Sequence, residues 1–360
     1  MKKVLLCGAT HGSNFGDSLF AIMFNKKIEK KFDDVDVYFT KASEYSKEAL
    51  NIKVAGLKEL FSMDGMVYIS GGYFGQSHNE NLKGSIYRFL TYFAYGLFMI
   101  LRRKPIAIIG VGAGPLERKF LRKTAKYIFN KAKIVSVRDK ESRDYMRNYG
   151  VQSEIRVTSD SAQVINDAIF NIKKENTWIS SQEKLKNRQK VLIHLASKNS
   201  DLYNDIVIGA ILDSLGSRKD IGFIITTDYV TKGDELREVY KLFPSEQTVI
   251  YDFNNPLEFV EVISNVDAVI TPKLHVGIIA TTFHKSVISF PLHPGKTIRY
   301  YQQIGYPERC KSLFDVSKEE SKEMILSYID SKVNLSQNLL YKANENFDLL
   351  LDFLENNVRR

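Results

Sequence analysis

The sequence predicts an α/β protein built of two tandem parallel sheets, and three observations carry that prediction. Short apolar runs alternate with helical patterns from the N-terminus to about residue 310. A polar stretch, Asn171 to Lys190, which holds the single Trp (Trp178), interrupts the alternation near its middle. The tail from Ser317 to Arg360 reads as two helices without a strand. Strand–helix repetition buries both faces of a parallel sheet, so each half forms a Rossmann-like lobe, and two such lobes are expected to face a cleft.

In the first half the expected strands are Val4–Ala9, Val35–Phe39, Met66–Ser70, Ile106–Gly110, Ile134–Val137 and Ile155–Val157. Helical patterns fall between most of them, at Asp17–Lys31, Leu116–Asn130 and Lys140–Tyr149, the last stopped by Gly150 in the left-handed manner common at helix ends. In the second half the strands are Val191–Ala196, Ile221–Thr226, Thr248–Tyr251, Ala268–Thr271 and Val287–Phe290. Helices are expected at Asp205–Leu215, Lys232–Leu242, Pro256–Ser264 and Leu274–Phe283. The chain therefore divides into a first lobe over 1–168, a linker over 169–189, a second lobe over 190–316 and C-terminal helices over 317–360.

A chain of 360 residues exceeds what one core usually supports, which agrees with two domains. At 44% hydrophobic and 26% charged residues, the composition is that of a globular protein and excludes disordered or fibrous classes. Two cysteines, Cys7 in an apolar strand and Cys310 far from it, indicate neither a disulfide framework nor a thiolate metal site. The N-terminal apolar run stops at His11 and Gly12, so it reads as a strand and not as a signal peptide, and a cytoplasmic location is expected.

The net charge of +9 is concentrated. Ten basic residues between Arg102 and Lys133 face one acid, Glu117, and that segment alone carries the excess of the whole chain. Just before it runs the aromatic stretch Ile86–Leu101, too short and too interrupted by Arg88 to span a membrane. An aromatic helix followed by a basic cluster suits peripheral contact with an anionic membrane at its inner face. The plainer alternative is a buried crossover helix followed by a solvated basic one. No nucleic-acid module accompanies the charge, so nucleic acid is not an expected partner.

Polar turns at strand ends supply the candidate chemistry, because ligands in open parallel sheets bind beyond the C-terminal ends of strands. The first strand leads into a glycine-containing turn with Asn14, Gly16 and Asp17. Its spacing is not that of a dinucleotide site, and Asp17 would oppose a pyrophosphate; helix capping explains Asn14 and Asp17 equally well. The paired glycines Gly71 and Gly72 permit a tight turn or a close backbone approach to substrate. Gly110-Val-Gly-Ala-Gly-Pro115 reads as an open loop of small residues. Arg138 stands at a strand end with a guanidinium suited to carboxylate or phosphate, or else forms a structural pair with Asp139 or Glu141, with Asp160 as a further holder. Lys273, Leu274 and His275 stand where a strand gives way to a helix, and Lys296 follows the next strand. Three cation-capable groups gathered at one end of a sheet call for an anion to neutralise them.

In order along the chain, Asn14-Phe-Gly-Asp17, Ser70-Gly-Gly72, Ser136-Val-Arg-Asp139 with Ser142, Asp160-Ser-Ala, Lys273-Leu-His275 and the later Lys296 resemble the polysaccharide pyruvyl transferase family. The resemblance implies a two-lobed, GT-B-like architecture, with the first lobe on the acceptor side and the second on the donor side. It implies transfer of the pyruvyl group of phosphoenolpyruvate to two sugar hydroxyls, forming a cyclic ketal and releasing phosphate. On that reading His275, Arg138 and Lys296 are catalytic, and Lys273, Leu274, Asn14, Gly16, Asp17, Gly71 and Gly72 bind substrate. No cofactor and no metal are expected, and a lipid-linked sugar would suit the apolar helix and basic cluster. The family pattern usually has Arg at the position of Lys273, and Lys keeps the charge without the bidentate fork. Two alternatives are a GT-B glycosyltransferase using a nucleotide sugar and a non-catalytic membrane-bound scaffold of polysaccharide assembly.

Overall fold

The computed structural model describes residues 1–76, 80–196, 200–230 and 234–359. Lys232, the expected start of one helix, and His78 lie outside the described residues. The chain forms two compact units, one of Met1–Val164 with Gln337–Arg360 and one of Ile165–Ser336.

The first unit opens with β1 (Lys2–Cys7), α1 (Phe15–Lys31), β2 (Val35–Phe39), α2 (Glu44–Leu50), α3 (Leu57–Ser62), β3 (Gly65–Tyr68) and β4 (Gly71–Phe74). There follow α4 (Leu82–Arg88), a π-helical turn at Phe89–Phe93, α5 (Ala94–Leu101), β5 (Ile106–Ala113), α6 (Lys119–Lys131), β6 (Ile134–Val137), α7 (Lys140–Asn148) and β7 (Arg156–Val157). Its sheet has the order β2-β1-β3-β5-β6-β7, with β4 also paired to β5, and the pairings are parallel. All eight residues of β5 are buried, as a central parallel strand covered on both faces requires. On α6 the buried residues Leu121, Ala125, Ile128 and Phe129 recur at helical spacing, so its basic residues fall on the outer side. Gly150 ends α7 at φ +84°, with its N–H on the Arg147 carbonyl at 2.8 Å and that of Val151 on Met146 at 3.1 Å, as expected from its position.

The second unit contains α8 (Thr177–Ser180), β8 (Gln189–His194), α9 (Ser200–Tyr203), α10 (Gly209–Leu215), β9 (Ile221–Thr226), α11 (Asp234–Tyr240), β10 (Thr248–Tyr251) and α12 (Pro256–Ser264). It continues through β11 (Ala268–Thr271), α13 (Leu274–Thr282), β12 (Ser286–Ser289), α14 (Pro294–Gln303) and α15 (Lys318–Tyr328). The sheet order is β10-β9-β8-β11-β12, again parallel. The polar stretch before β8 packs here: Trp178 meets Tyr251 edge-on at 4.9 Å, and Leu185 is buried.

The last helix, α16 (Gln337–Phe353), returns to the first unit. Its Asn346 is fully buried; Oδ1 accepts from the Ser136 hydroxyl at 2.9 Å and the Thr158 hydroxyl at 2.8 Å, and Nδ2 donates to the Ser159 carbonyl at 2.8 Å.

Two local expectations are corrected. Gly71 and Gly72 do not make a tight turn; they begin β4, with Gly71 at φ +154°. Val111 to Ala113 is not an open loop but the continuation of β5, and β4 supplies its pairing partner. Glycine was misleading because a strand can pass through it when a bend is needed. Gly110, at φ +62°, marks such a bend, and the β5–β6 register shifts there.

Candidate active site

In the second unit β8 is the first strand laid down, with β9 and β10 to one side and β11 and β12 to the other. The switch point, where chain direction across the sheet reverses, therefore lies between the C-terminal ends of β8 and β11. Those ends are His194 and Thr271, and Nδ1 of His194 lies 2.9 Å from Oγ1 of Thr271. The backbone N–H of Lys273 donates to the same Thr271 oxygen at 3.0 Å. Asp228, two residues past the end of β9, faces Nε2 of His194 at 3.4 Å and the Lys273 ammonium at 3.3 Å. The Thr271 hydroxyl thus stands between the Lys273 N–H and the His194 ring.

Burial pushes the His194 imidazole down, and the opposing pull of Asp228 does not restore it. Burial also pushes the Asp228 carboxyl up, but His194 and Lys273 outweigh it and hold the group below the usual carboxylate range. Lys273 is consequently already matched by one negative charge.

Lys273 is the N-cap of α13 and gives that helix no side-chain cap. The first-turn N–H groups of such a terminus attract anions. Of the nine residues of α13, His275 alone is not buried; it is half-buried, with its Nε2 enclosed. Leu274 is buried and offers its backbone to that end of the helix. Lys296 is exposed in the first turn of α14. That helix packs on α13: Thr281 and Tyr300 share a hydrogen bond of 2.6 Å, and a Cβ on Gly277 would stand 2.6 Å from the Tyr301 hydroxyl. Lys273, His275 and Lys296 are thereby carried by adjoining elements of one unit.

In the first unit the corresponding switch point lies between β1 and β3. The backbone there is tight, since a Cβ on Gly8 would stand 2.7 Å from the Ile69 side chain. Asn14 caps α1, accepting the Asp17 N–H at 3.4 Å. Tyr73 donates to the Cys7 carbonyl at 3.0 Å and stacks on Tyr92 with ring centroids 4.7 Å apart. Burial raises the Tyr92 hydroxyl well above its usual range, and the Asp17 carboxylate raises it further. Beside them His11 lies 3.5 Å from the Tyr92 hydroxyl, and Lys41 stands 5.3 Å over the Tyr87 ring. Burial and Lys41 together lower the His11 imidazole.

Arg138 behaves differently. It is buried, with NH1 3.1 Å from Asp160 and Nε 3.8 Å from Asp139. Asp160 also accepts the Ala162 N–H at 3.0 Å, and Asp139 caps α7 through the Ser142 N–H at 2.7 Å. Gly112 leaves room for the guanidinium, since a Cβ there would lie 2.8 Å from it. The pairing with Asp139 and Asp160 that the sequence offered as an alternative is present. Gly71 and Gly72 sit in β4 of the same unit, Gly71 buried and Gly72 exposed.

Sequence reasoning missed His194, Asp228, His11, Lys41 and Tyr92. His194 falls within one predicted strand and Asp228 just after another, which was the available signal; their convergence depends on strand order.

Two parallel sheets with helices, each with polar groups at its switch point, define a GT-B-like α/β protein. Solved structures of this fold agree along the whole chain. A UDP-bound MnaA from S. aureus superimposes with TM-score 0.65 at 13% identity, covering 99% of this chain and 96% of that one. A UDP-GlcNAc 2-epimerase from Neisseria meningitidis gives 0.62 at 13% identity, with 98% and 100% covered. The spinosyn rhamnosyltransferase SpnG gives 0.56 at 10% identity, with 98% and 96% covered. At such identities these likenesses show the fold alone. No curated protein matches the sequence. The sequence pattern of the family described as polysaccharide pyruvyl transferase matches residues 14–294, and the chain belongs to that family. It is accordingly a transferase of polysaccharide biosynthesis.

Proposed function

We propose that this protein moves the pyruvyl group of phosphoenolpyruvate onto two hydroxyls of a sugar, forming a cyclic ketal and releasing phosphate, in capsule, exopolysaccharide or cell-wall glycan synthesis. The observation that carries the reading is the N-terminus of α13, where the N-cap residue Lys273 gives no side-chain cap and His275 is the helix's one residue that is not fully buried. Phosphoenolpyruvate brings a phosphate and a carboxylate, which suit the helix terminus, the Lys273 ammonium and Lys296. Because Asp228 already matches Lys273, the helix end and Lys296 supply most of the remaining counter-charge.

In the proposed reaction His275 gives a proton to the methylene carbon of the donor as a sugar hydroxyl adds to the adjacent carbon. Phosphate then departs, and the second hydroxyl closes the ring, each hydroxyl losing one proton. Asp17, whose carboxylate acts on Tyr92, is proposed to polarise an acceptor hydroxyl, with Asn14, Gly16, Gly71 and Gly72 shaping that side. Arg138, already held by two carboxylates, is proposed to act by fixing the β6 end of the first unit. The acceptor is proposed to be a lipid-linked sugar, which places the enzyme at the inner face of the cell membrane.

Incubation with phosphoenolpyruvate and candidate glycans should release phosphate only with a suitable acceptor and add a pyruvyl ketal to its mass. The His275→Ala variant should lose roughly 10²–10⁴-fold in kcat with donor binding retained; full turnover in that variant would remove the assignment. Thermal stabilisation by a nucleoside diphosphate, with none by phosphoenolpyruvate, would instead favour a nucleotide-sugar glycosyltransferase.

A further inference from the structure

The helical element Leu82–Leu101 has two unlike faces. One is committed to the first unit: Tyr92, Phe93 and Met99 are buried, the Tyr68 hydroxyl donates to the Tyr92 carbonyl at 3.0 Å, and Gly96 lies against that hydroxyl. The other is apolar and uncovered, with Leu82, Ile86 and Leu90 exposed at four-residue spacing and Leu101 exposed at the far end. Only about a third of the element is buried, which is low for a crossover helix enclosed by its own domain.

The apolar face continues onto both neighbours. At the C-terminal end α3 adds Leu57 and Phe61, 78% and 61% exposed beside Leu101 at 82%. Phe61 meets Phe98 edge-on at 5.4 Å, and the Arg102 guanidinium lies 5.5 Å from one ring and 5.8 Å from the other. Such a cation both covers the rings and keeps its charge outward. On the other side Phe120 of α6 meets Phe89 at 6.0 Å, and Lys131 stands 5.9 Å over the exposed Tyr127. Lys119, Lys123 and Lys131 are exposed on α6, which contains no acid. Of the acids nearby, Glu80 is bound to Arg88 at 2.6 Å and Asp64 to Lys104 at 3.3 Å, which leaves Glu59 and Glu117 against the basic set.

We infer that this face docks the protein on an anionic lipid bilayer, with the Leu82–Leu101 element lying along the surface and not crossing it. Spanning is incompatible with the face that Tyr92, Phe93 and Met99 commit to the sheet core. A second copy of the chain would bury the same apolar groups but set two basic clusters against each other, whereas an anionic surface neutralises them. This deepens the proposed function by naming the surface that meets the membrane, and Tyr87, beside the Asp17 side of the first unit through Lys41 and His11, sits on the same helix.

Co-sedimentation of the full chain with vesicles of phosphatidylcholine, with and without phosphatidylglycerol, tests it. Binding is expected only with phosphatidylglycerol, and it should weaken as salt rises. The combined Leu57→Ser, Phe61→Ser and Leu101→Ser variant should lose it. Lys119→Gln with Lys123→Gln and Lys131→Gln should weaken it roughly tenfold or more. Both variants change exposed positions, and circular dichroism and turnover with a water-soluble acceptor should match the parent. Absence of binding, indifference to lipid charge, or a concentration-dependent dimer that the serine variant abolishes would overturn the inference. Vesicle binding of the expected pattern without pyruvyl transfer would leave docking standing and remove the proposed reaction instead.

Discussion

At position 194 a histidine with no exposed surface sits between Thr271 and Asp228, and its protonation couples the second unit to pH. Burial lowers the ring below its ordinary value of 6.5, so over the window beneath 6.5 the unfolded chain binds a proton that the native chain does not. The stability this residue contributes is full above 6.5 and is lost as pH falls from there toward the lowered native value. Unfolding midpoints should therefore fall between neutral pH and about pH 5. The fall should be flatter in His194→Gln, which separates this residue from His11, whose shift has the same sign. Asp228 acts lower on the scale: its depressed value keeps its contribution until pH drops below the ordinary 3.8. His275 and Lys273 were legible in the sequence because they directly follow β11. His194 and Asp228 come from the ends of β8 and β9, and no spacing rule joins residues 34 positions apart in sequence to a third strand. Arg138 was legible as a strand-end arginine with Asp160 a named holder; its burial was not, because it depends on Gly112 being a glycine.

Among elements, the seating of α14 on α13 depends on one glycine. An added methyl at Gly277 meets the Tyr301 hydroxyl at 2.6 Å, so Gly277→Ala should destabilise by about 1–3 kcal/mol. Tyr301→Phe in the same chain should recover part of that loss by removing the oxygen, and urea unfolding of the single and double variants reads it. The attachment of α16 depends on Asn346 in the same way. Asn346→Ala would leave the Ser136 and Thr158 hydroxyls and the Ser159 carbonyl without their buried partner, at a cost of roughly 2–4 kcal/mol in urea unfolding. The two helices of the tail were legible from pattern alone, while the unit each joins was not, since polar contacts across nearly 200 residues decide it. Strand β4 was hidden for a different reason: its two glycines carry turn propensity, and the pairing with β5 overrides it.

For the molecule as a whole, alternation of strands and helices made the two-sheet architecture legible because each parallel strand must be followed by a covering helix. Membership of the polysaccharide pyruvyl transferase family follows from a match over residues 14–294. The charge of +9 was legible too, but the apolar face beside it emerged only once the outward side of α4 and α5 was visible. The central claim is that the half-buried imidazole at the start of α13 serves transfer of pyruvyl from phosphoenolpyruvate. The most direct measurement is the mass of a glycan acceptor after incubation with phosphoenolpyruvate and either the parent chain or His275→Ala. The account predicts a pyruvyl ketal with equivalent phosphate release from the parent and almost none from the variant. Equal product from both, or no product with any glycan while a nucleotide sugar is consumed, would contradict it.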